Sequence, residues 1–162
     1  MNERVRALRR EFDASFAAPP RSVGEASESF LAIRVAGDPY AIPLGDIAAL
    51  AARPATAPLP SRRPECLGLV GRGGALAALY SLPALLGAAA GTSTPRWMAL
   101  LRAGTGLALG FEDYEGYARF TLSELSPLGE GAKRRHVSRA ARHGGTSRLI
   151  IDIASIVNDL TA

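Results

Sequence analysis

The stretch that decides the fold is Gly73-Gly74-Ala75-Leu76-Ala77-Ala78-Leu79-Tyr80-Ser81-Leu82-Pro83-Ala84-Leu85-Leu86. It recurs 71 residues later as Gly144-Gly145-Thr146-Ser147-Arg148-Leu149-Ile150-Ile151-Asp152-Ile153-Ala154-Ser155-Ile156-Val157. In both copies a glycine pair leads into an apolar run, then a single short oxygen-bearing side chain, then apolar residues at i, i+3, i+4 and i+7. Ser81 and Asp152 can each accept a hydrogen bond from the free N–H groups that open a helix, so both read as structural N-caps. Leu82, Leu85, Leu86 and Ala89, and in the other copy Ile153, Ile156, Val157 and Leu160, then line one helix face. Each copy predicts a glycine turn, a strand, a cap and a short helix.

The repeat extends upstream. Phe30 to Val35, Gly37 and Ala41-Ile42 have a counterpart in Trp97 to Arg102, Gly104 and Ala108-Leu109, at an offset of 67. The growth from 67 to 71 requires extra residues in the second copy, which loops absorb at small entropic cost. The polar tract from Gly129 to Arg142 is the expected place.

Between these landmarks, Gly37-Asp38-Pro39 predicts a hairpin turn and Tyr40-Ala41-Ile42 its return strand. Leu44 to Leu50 suits a short helix. Prolines at 54, 58, 60 and 64 exclude regular helix and limit strand pairing, leaving an extended crossing segment with at most an edge strand over 52–66. Gly104-Thr105-Gly106 turns the second hairpin, and Tyr117 to Phe120 forms one more strand. About ten short strands favour two small closed barrels over an open sheet with exposed edges. Upstream, Val5, Leu8, Phe12 and Phe16 at helical spacing predict an amphipathic N-terminal helix over 1–17, stopped by Pro19-Pro20 and followed by a linker over 18–29. That helix is expected to dock on its own domain, on a partner or on an anionic membrane.

With 162 residues, 48% of them hydrophobic, the chain can bury a sizeable core. It contains no apolar run of membrane-spanning length and no signal-peptide pattern, so a cytoplasmic protein is expected. The lone Cys66 fits a reducing compartment and has no second thiol or nearby histidine for a metal site. The net charge of +4 permits anionic partners. Neither arginine cluster, at Arg4–Arg10 or Lys133–Arg142, is interleaved with aromatic residues as a single-strand-binding groove would be.

A search for chemistry finds no active site and no cofactor site. Gly68 to Gly74 precedes a strand and lacks the Gly-Lys-Ser/Thr of a phosphate loop. His136 and His143 lie in a basic tract expected to be exposed. Ser81 and Asp152 already have work as caps, which leaves no nucleophilic triad. Glu112, Asp113 and Glu115 read as a solvated turn, with a carboxylate pair for acid–base chemistry as the alternative.

The pattern resembles the CheW family of chemotaxis coupling proteins over residues 30–160. Leu67-Gly68-Leu69-Val70-Gly71-Arg72-Gly73-Gly74, continuing through Ser81-Leu82 to Leu85-Leu86-Gly87, registers without gaps on the family's L-G-hydrophobic-hydrophobic-N-L-R-G segment and its strand and helix. Tyr40-Ala41-Ile42-Pro43-Leu44 with Ile47, and Gly106 to Leu109 with Asp113, resemble two further family segments. The resemblance implies a mainly β fold of two five-stranded SH3-like barrels, the first over about 30–87 and the second over about 95–150, with a C-terminal helix over about 153–160. It also implies a non-enzymatic adaptor that joins a chemoreceptor's cytoplasmic tip to the regulatory domain of a CheA-type histidine kinase, barrel against barrel, in the cytoplasm at membrane-associated receptor arrays. Ile42, Leu44, Val70, Arg72 and Gly73 are the expected partner-binding positions. The family's Asn-Leu-Arg-Gly is Gly71-Arg72-Gly73-Gly74 here, so its arginine is shifted by one position or lost, and Ser81 replaces the usual aspartate. This puts receptor coupling in question and leaves two alternatives: an array component that does not couple receptors, and a basic nucleic-acid-binding barrel.

Overall fold

The computed structural model describes residues 24–89, 94–102 and 106–162. The N-terminal helix, the first half of the linker and part of the second hairpin turn read from the sequence lie outside these residues. Twelve strands are described: β1 (Ser27–Val35), β2 (Asp38–Pro43), β3 (Ile47–Ala52), β4 (Thr56–Ala57), β5 (Cys66–Arg72), β6 (Ala75–Ser81), β7 (Trp97–Leu101), β8 (Leu107–Phe111), β9 (Asp113–Thr121), β10 (Leu125–Pro127), β11 (Val137–His143) and β12 (Thr146–Ile151). Two α-helices, α1 (Leu82–Leu85) and α2 (Ile153–Thr161), follow β6 and β12.

Three expectations need correction. Only Leu44–Asp46 is helical after β2, as one 3-10 turn, and Ile47–Ala52 is a strand because it pairs along its length with β7. The linker ends earlier than expected, since Ser27 to Ser29 already pair with β9. The polar tract before β12 is not one loop: Val137 to His143 is a strand, and only the residues before it are irregular.

The strands form two six-stranded sheets, ordered β10-β11-β12-β2-β1-β9 and β3-β7-β8-β6-β5-β4. Replacing β1 to β6 by β7 to β12, and the reverse, converts one order into the other. The duplication is therefore complete, but its halves are not laid side by side as one barrel each. The opening hairpin of each half, β1-β2 or β7-β8, sits in the sheet of the other half. Parallel pairing of β2 with β12 and of β8 with β6 makes both joins. Without the exchanged hairpin, β6 and β12 would each present an unpaired edge next to the core.

Register shows how well the copies match. Tyr40 faces Leu149 and Ala41 faces Ile150; at the other join Leu107 faces Ala78 and Ala108 faces Leu79. These are the same pairs at offsets of 67 and 71. The backbone bond from Ser81 N–H to the Glu65 carbonyl, 2.8 Å, recurs from Asp152 N–H to the His136 carbonyl at the same length. One register differs from the sequence reading. β1 aligns with β7 at 68, so Phe30 matches Met98 rather than Trp97. A one-residue slip exchanges the faces of a strand. With 68, the inward Leu31 and Ile33 fall on the inward Ala99 and Leu101.

Each sheet curls around its own small core. Phe30, Ala41, Phe120, Ala141 and Ile150 fill the first, and Val70, Ala77, Leu79, Met98 and Ala108 fill the second. Curling brings Arg139 of β11 to Glu28 of β1 across two intervening strands, in a two-pronged ion pair at 2.9 Å. The end strands do not pair with each other, so neither barrel is closed. Between the sheets lies the larger shared core, built from the opposite faces of both exchanged hairpins and from Leu82, Leu85, Ile153 and Ile156 of the helices.

Candidate partner-binding surface

Most of the ionisable groups that attracted attention in the sequence are committed to holding the fold together. Glu115 is not part of a carboxylate pair. It accepts from Arg34 Nε at 2.7 Å and from Arg148, whose guanidinium also reaches the carbonyls of Ile33 and Tyr40. Arg148, then Arg34, hold its carboxyl below the ordinary glutamate range. Asp113 pairs with Arg96 at 2.9 Å. Asp113 and Glu115 are thus strand staples within β9, while Glu112 occupies the bend between β8 and β9.

His136 is a second correction, being 8% exposed rather than solvated. Its Nδ1 lies 2.8 Å from Ser155 Oγ and its Nε2 lies 3.5 Å from an Asp159 carboxylate oxygen. Burial, then the neighbouring Arg135, lower the imidazole pKa and keep it neutral near pH 7, against the opposing pull of Asp159. Arg135 also reaches the Asp159 carboxylate at 2.9 Å, and Arg63 donates to the Asp159 carbonyl. This group pins α2 to the loop before β11 and to the crossing segment. Cys66 is a free, half-buried thiol in β5, and no cluster of metal-ligating side chains occurs among the described residues.

The five expected partner-binding residues separate into interior and surface. Ile42 is fully buried in the shared core and Val70 is 3% exposed in the second small core, so neither side chain can meet a partner. Alternation along the strands explains the error for Val70: it pairs with Ala77, and both face inward. The outward positions are Gly71 and its partner Leu76, which is 69% exposed. Leu76 was missed in the sequence, although strict alternation from Ala77 and Leu79 identifies it. Leu44 is half-buried and lines a shallow groove with Pro43, Glu28 and Arg102. Arg72 and Gly73 are exposed at the tip of the β5-β6 hairpin. Gly73 and Gly74 have φ of 58° and 80°, as a two-residue turn with both φ positive requires.

The equivalent hairpin in the other half has different chemistry. His143 takes the place of Arg72 and is bonded to Glu124, and Ser147 takes the place of Leu76. The first hairpin therefore presents an arginine and a bare leucine beside the β7-β8 turn, whose Gly106 carbonyl accepts from Ala78 N–H. The second hairpin is polar and satisfied by its own sheet. A second apolar feature is the aromatic row Trp97–Tyr114–Tyr117, with ring centroids 5.3 and 6.5 Å apart and Tyr117 75% exposed.

The helices begin in equivalent ways and lie beside equivalent clefts. Asp152 accepts from Ser155 N–H at 3.0 Å and Ser81 from Ala84 N–H at 3.4 Å. The cleft beside α2, bounded by Pro43, Asp46, Asp152, Ile153 and Val157, has a volume of about 440 Å³. The cleft beside α1, bounded by Gly110, Ser81 and Pro83, measures only about 70 Å³, because Ala89 and Pro95 also line it. Gly110 makes room for that packing: a Cβ there would stand 2.7 Å from Pro95.

A duplicated pair of curled sheets sharing one core, with capped helices at the joins, defines a small class of β proteins. Residues 29–161 match the CheW-like domain, and the chain belongs to that family. The fold is similar to that in the crystal structure of the scaffolding protein TtCheW from Thermoanaerobacter tengcongensis, with a TM-score of 0.70 and 13% identity, covering 78% of this chain and 89% of that one. At that identity the likeness is one of fold. No curated protein matches the sequence. No helix among the described residues is long and apolar enough to cross a membrane.

Proposed function

We propose that this chain is a non-enzymatic adaptor of a bacterial chemosensory complex, joining the regulatory domain of a CheA-type histidine kinase to a chemoreceptor's cytoplasmic tip. The observation that carries the reading is the match of the CheW-like domain to nearly the whole described chain. An adaptor needs a surface with exposed apolar and charged positions and no tuned pKa. The β5-β6 hairpin tip, with Arg72, Gly73 and Leu76, and the groove at Leu44 are the contact positions in this reading. The protein works in the cytoplasm, at receptor arrays.

The test is retention of a CheA-type regulatory domain from the same organism by the purified full chain. Retention is expected, with loss in Leu76→Glu and Arg72→Glu and no loss in Ser147→Glu at the equivalent place on the other hairpin. Failure of the unsubstituted chain to bind any such domain overturns the reading. A second reading is favoured by Gly71-Arg72-Gly73-Gly74, which departs from the family's Asn-Leu-Arg-Gly. In that reading the chain occupies array positions without coupling receptors, and it would bind the kinase domain but no receptor-tip fragment.

A further inference from the structure

We propose that the cleft beside α2 is the seat of this chain's own N-terminal segment, residues 1–23. The internal duplication supplies the first argument. β7 corresponds to β1, and the stretch that leads into β7 places Ala89 and Pro95 against the small cleft beside α1. The corresponding stretch for the α2 cleft is the one that leads into β1, and that stretch is the N-terminal segment. One cleft is filled by the chain arriving at its exchanged hairpin; the other is open by about 440 Å³ among the described residues.

Reach and chemistry agree with this assignment. The segment joins the fold at the rim of the cleft, because Glu28 near the start of β1 is paired with Arg139, which lines it. Residues 17–23 alone can span up to roughly 25 Å when extended, enough to bring the preceding residues back over α2. Val5, Leu8 and Phe12 recur at the spacing of one helix face, and Arg4, Arg6 and Arg9 lie among them. The cleft offers Pro43, Ala154 and Val157 for the apolar side chains, over a floor of Ile150 and Ile153, and the carboxylates of Asp46 and Asp152 for the arginines. The α2 cleft thereby has a tethered occupant, which any external partner of that face must displace.

The full-length chain tests this directly. A nitroxide spin label is placed at Ala14→Cys in a Cys66→Ala background, and amide signals are followed by NMR. Loss of the Ala154, Val157 and Asn158 signals is expected, with recovery of all three on adding Leu8→Glu, outside the described fold, and of Ala154 and Val157 on adding Asn158→Arg, on the exposed side of α2. Survival of those three signals in the labelled chain overturns the proposal, as does loss centred on Leu76 or Tyr117. Mixing spin-labelled chain with unlabelled, isotope-enriched chain reports the remaining occupant: signal loss in that mixture assigns the cleft to a second copy and also overturns it. Unchanged Leu79 and Ala108 signals, from the small core of the other sheet, verify that each variant is folded.

Discussion

The two capped helices begin alike and end differently, and the difference lies in one residue. Gly87, with φ of 85°, follows α1 and lets its N–H and that of Ala88 return to the carbonyls of Ala84 and Pro83, closing the helix after one turn. Its counterpart 71 positions on is Asn158, and there the helix runs through to Thr161. The extra turns carry Asp159 and keep Ser155 within a helix, and these two residues cover His136. Glu65, the counterpart of His136, is only half-buried beside a helix too short to cover it. A duplicated scaffold has thus been divided into one end locked beneath a longer helix and one end whose hairpin tip carries Arg72 and Leu76.

The strongest test of the equivalence is in the shared core. Leu85→Ala and Ile156→Ala, at matched positions and both fully buried, should each cost about 2–5 kcal/mol in chemical denaturation. A negligible cost at either would show that its half contributes little to one cooperative core. Next comes a position where the copies differ. Gly68, with φ of 138°, brings β4 so close that a Cβ would stand 2.3 Å from the Ala57 carbonyl oxygen, whereas its counterpart is Arg139. Gly68→Ala should cost at least about 1–3 kcal/mol from backbone strain alone. A melting temperature unchanged by that substitution would rule out the close approach.

The caps sharpen the comparison further. Asp152→Ala should cost about 1 kcal/mol, because its bond is well formed and its helix long. Ser81→Ala should cost less, since its bond is longer and α1 is a single turn; the reverse order by calorimetry would contradict the asymmetry. The smallest effect concerns pH. His136 has a folded-state pKa below its unfolded value near 6.5, so the unfolded chain takes up the proton first. The contribution is therefore fully present above about pH 6.5 and declines as pH falls from there toward the folded pKa. His136→Gln should flatten that part of the profile, and an identical slope in both proteins would show that the ring is not held neutral by the fold.

Much of this was legible in the sequence because it rested on local patterns. The glycine pairs, the apolar alternation behind them and the short polar cap residues each act over a few positions, and the two copies reinforce one another. What could not be read from the sequence depended on distant pairing. Ile47 to Ala52 is helix-like in composition and becomes a strand only because β7 lies beside it. Ile42 and Val70 fit a family contact segment, yet Ile42 faces the shared core that forms only when the two sheets pack, and Val70 falls on the inward side of β5. The burial of His136 required α2 to lie over it, and nothing near His136 in the chain announces that. Leu76 could have been found, since parity from Leu79 places it outside.

The exchanged hairpins have a consequence for how the protein can be taken apart. Because β1-β2 completes the sheet of the second half and β7-β8 that of the first, a break in the connection between Leu85 and Trp97 would leave each fragment with a sheet missing its middle strands. Neither fragment holds a whole fold. Mixed together, the two should rebuild one, so that the protein behaves as an interlocked pair of chains that happen to be covalently joined.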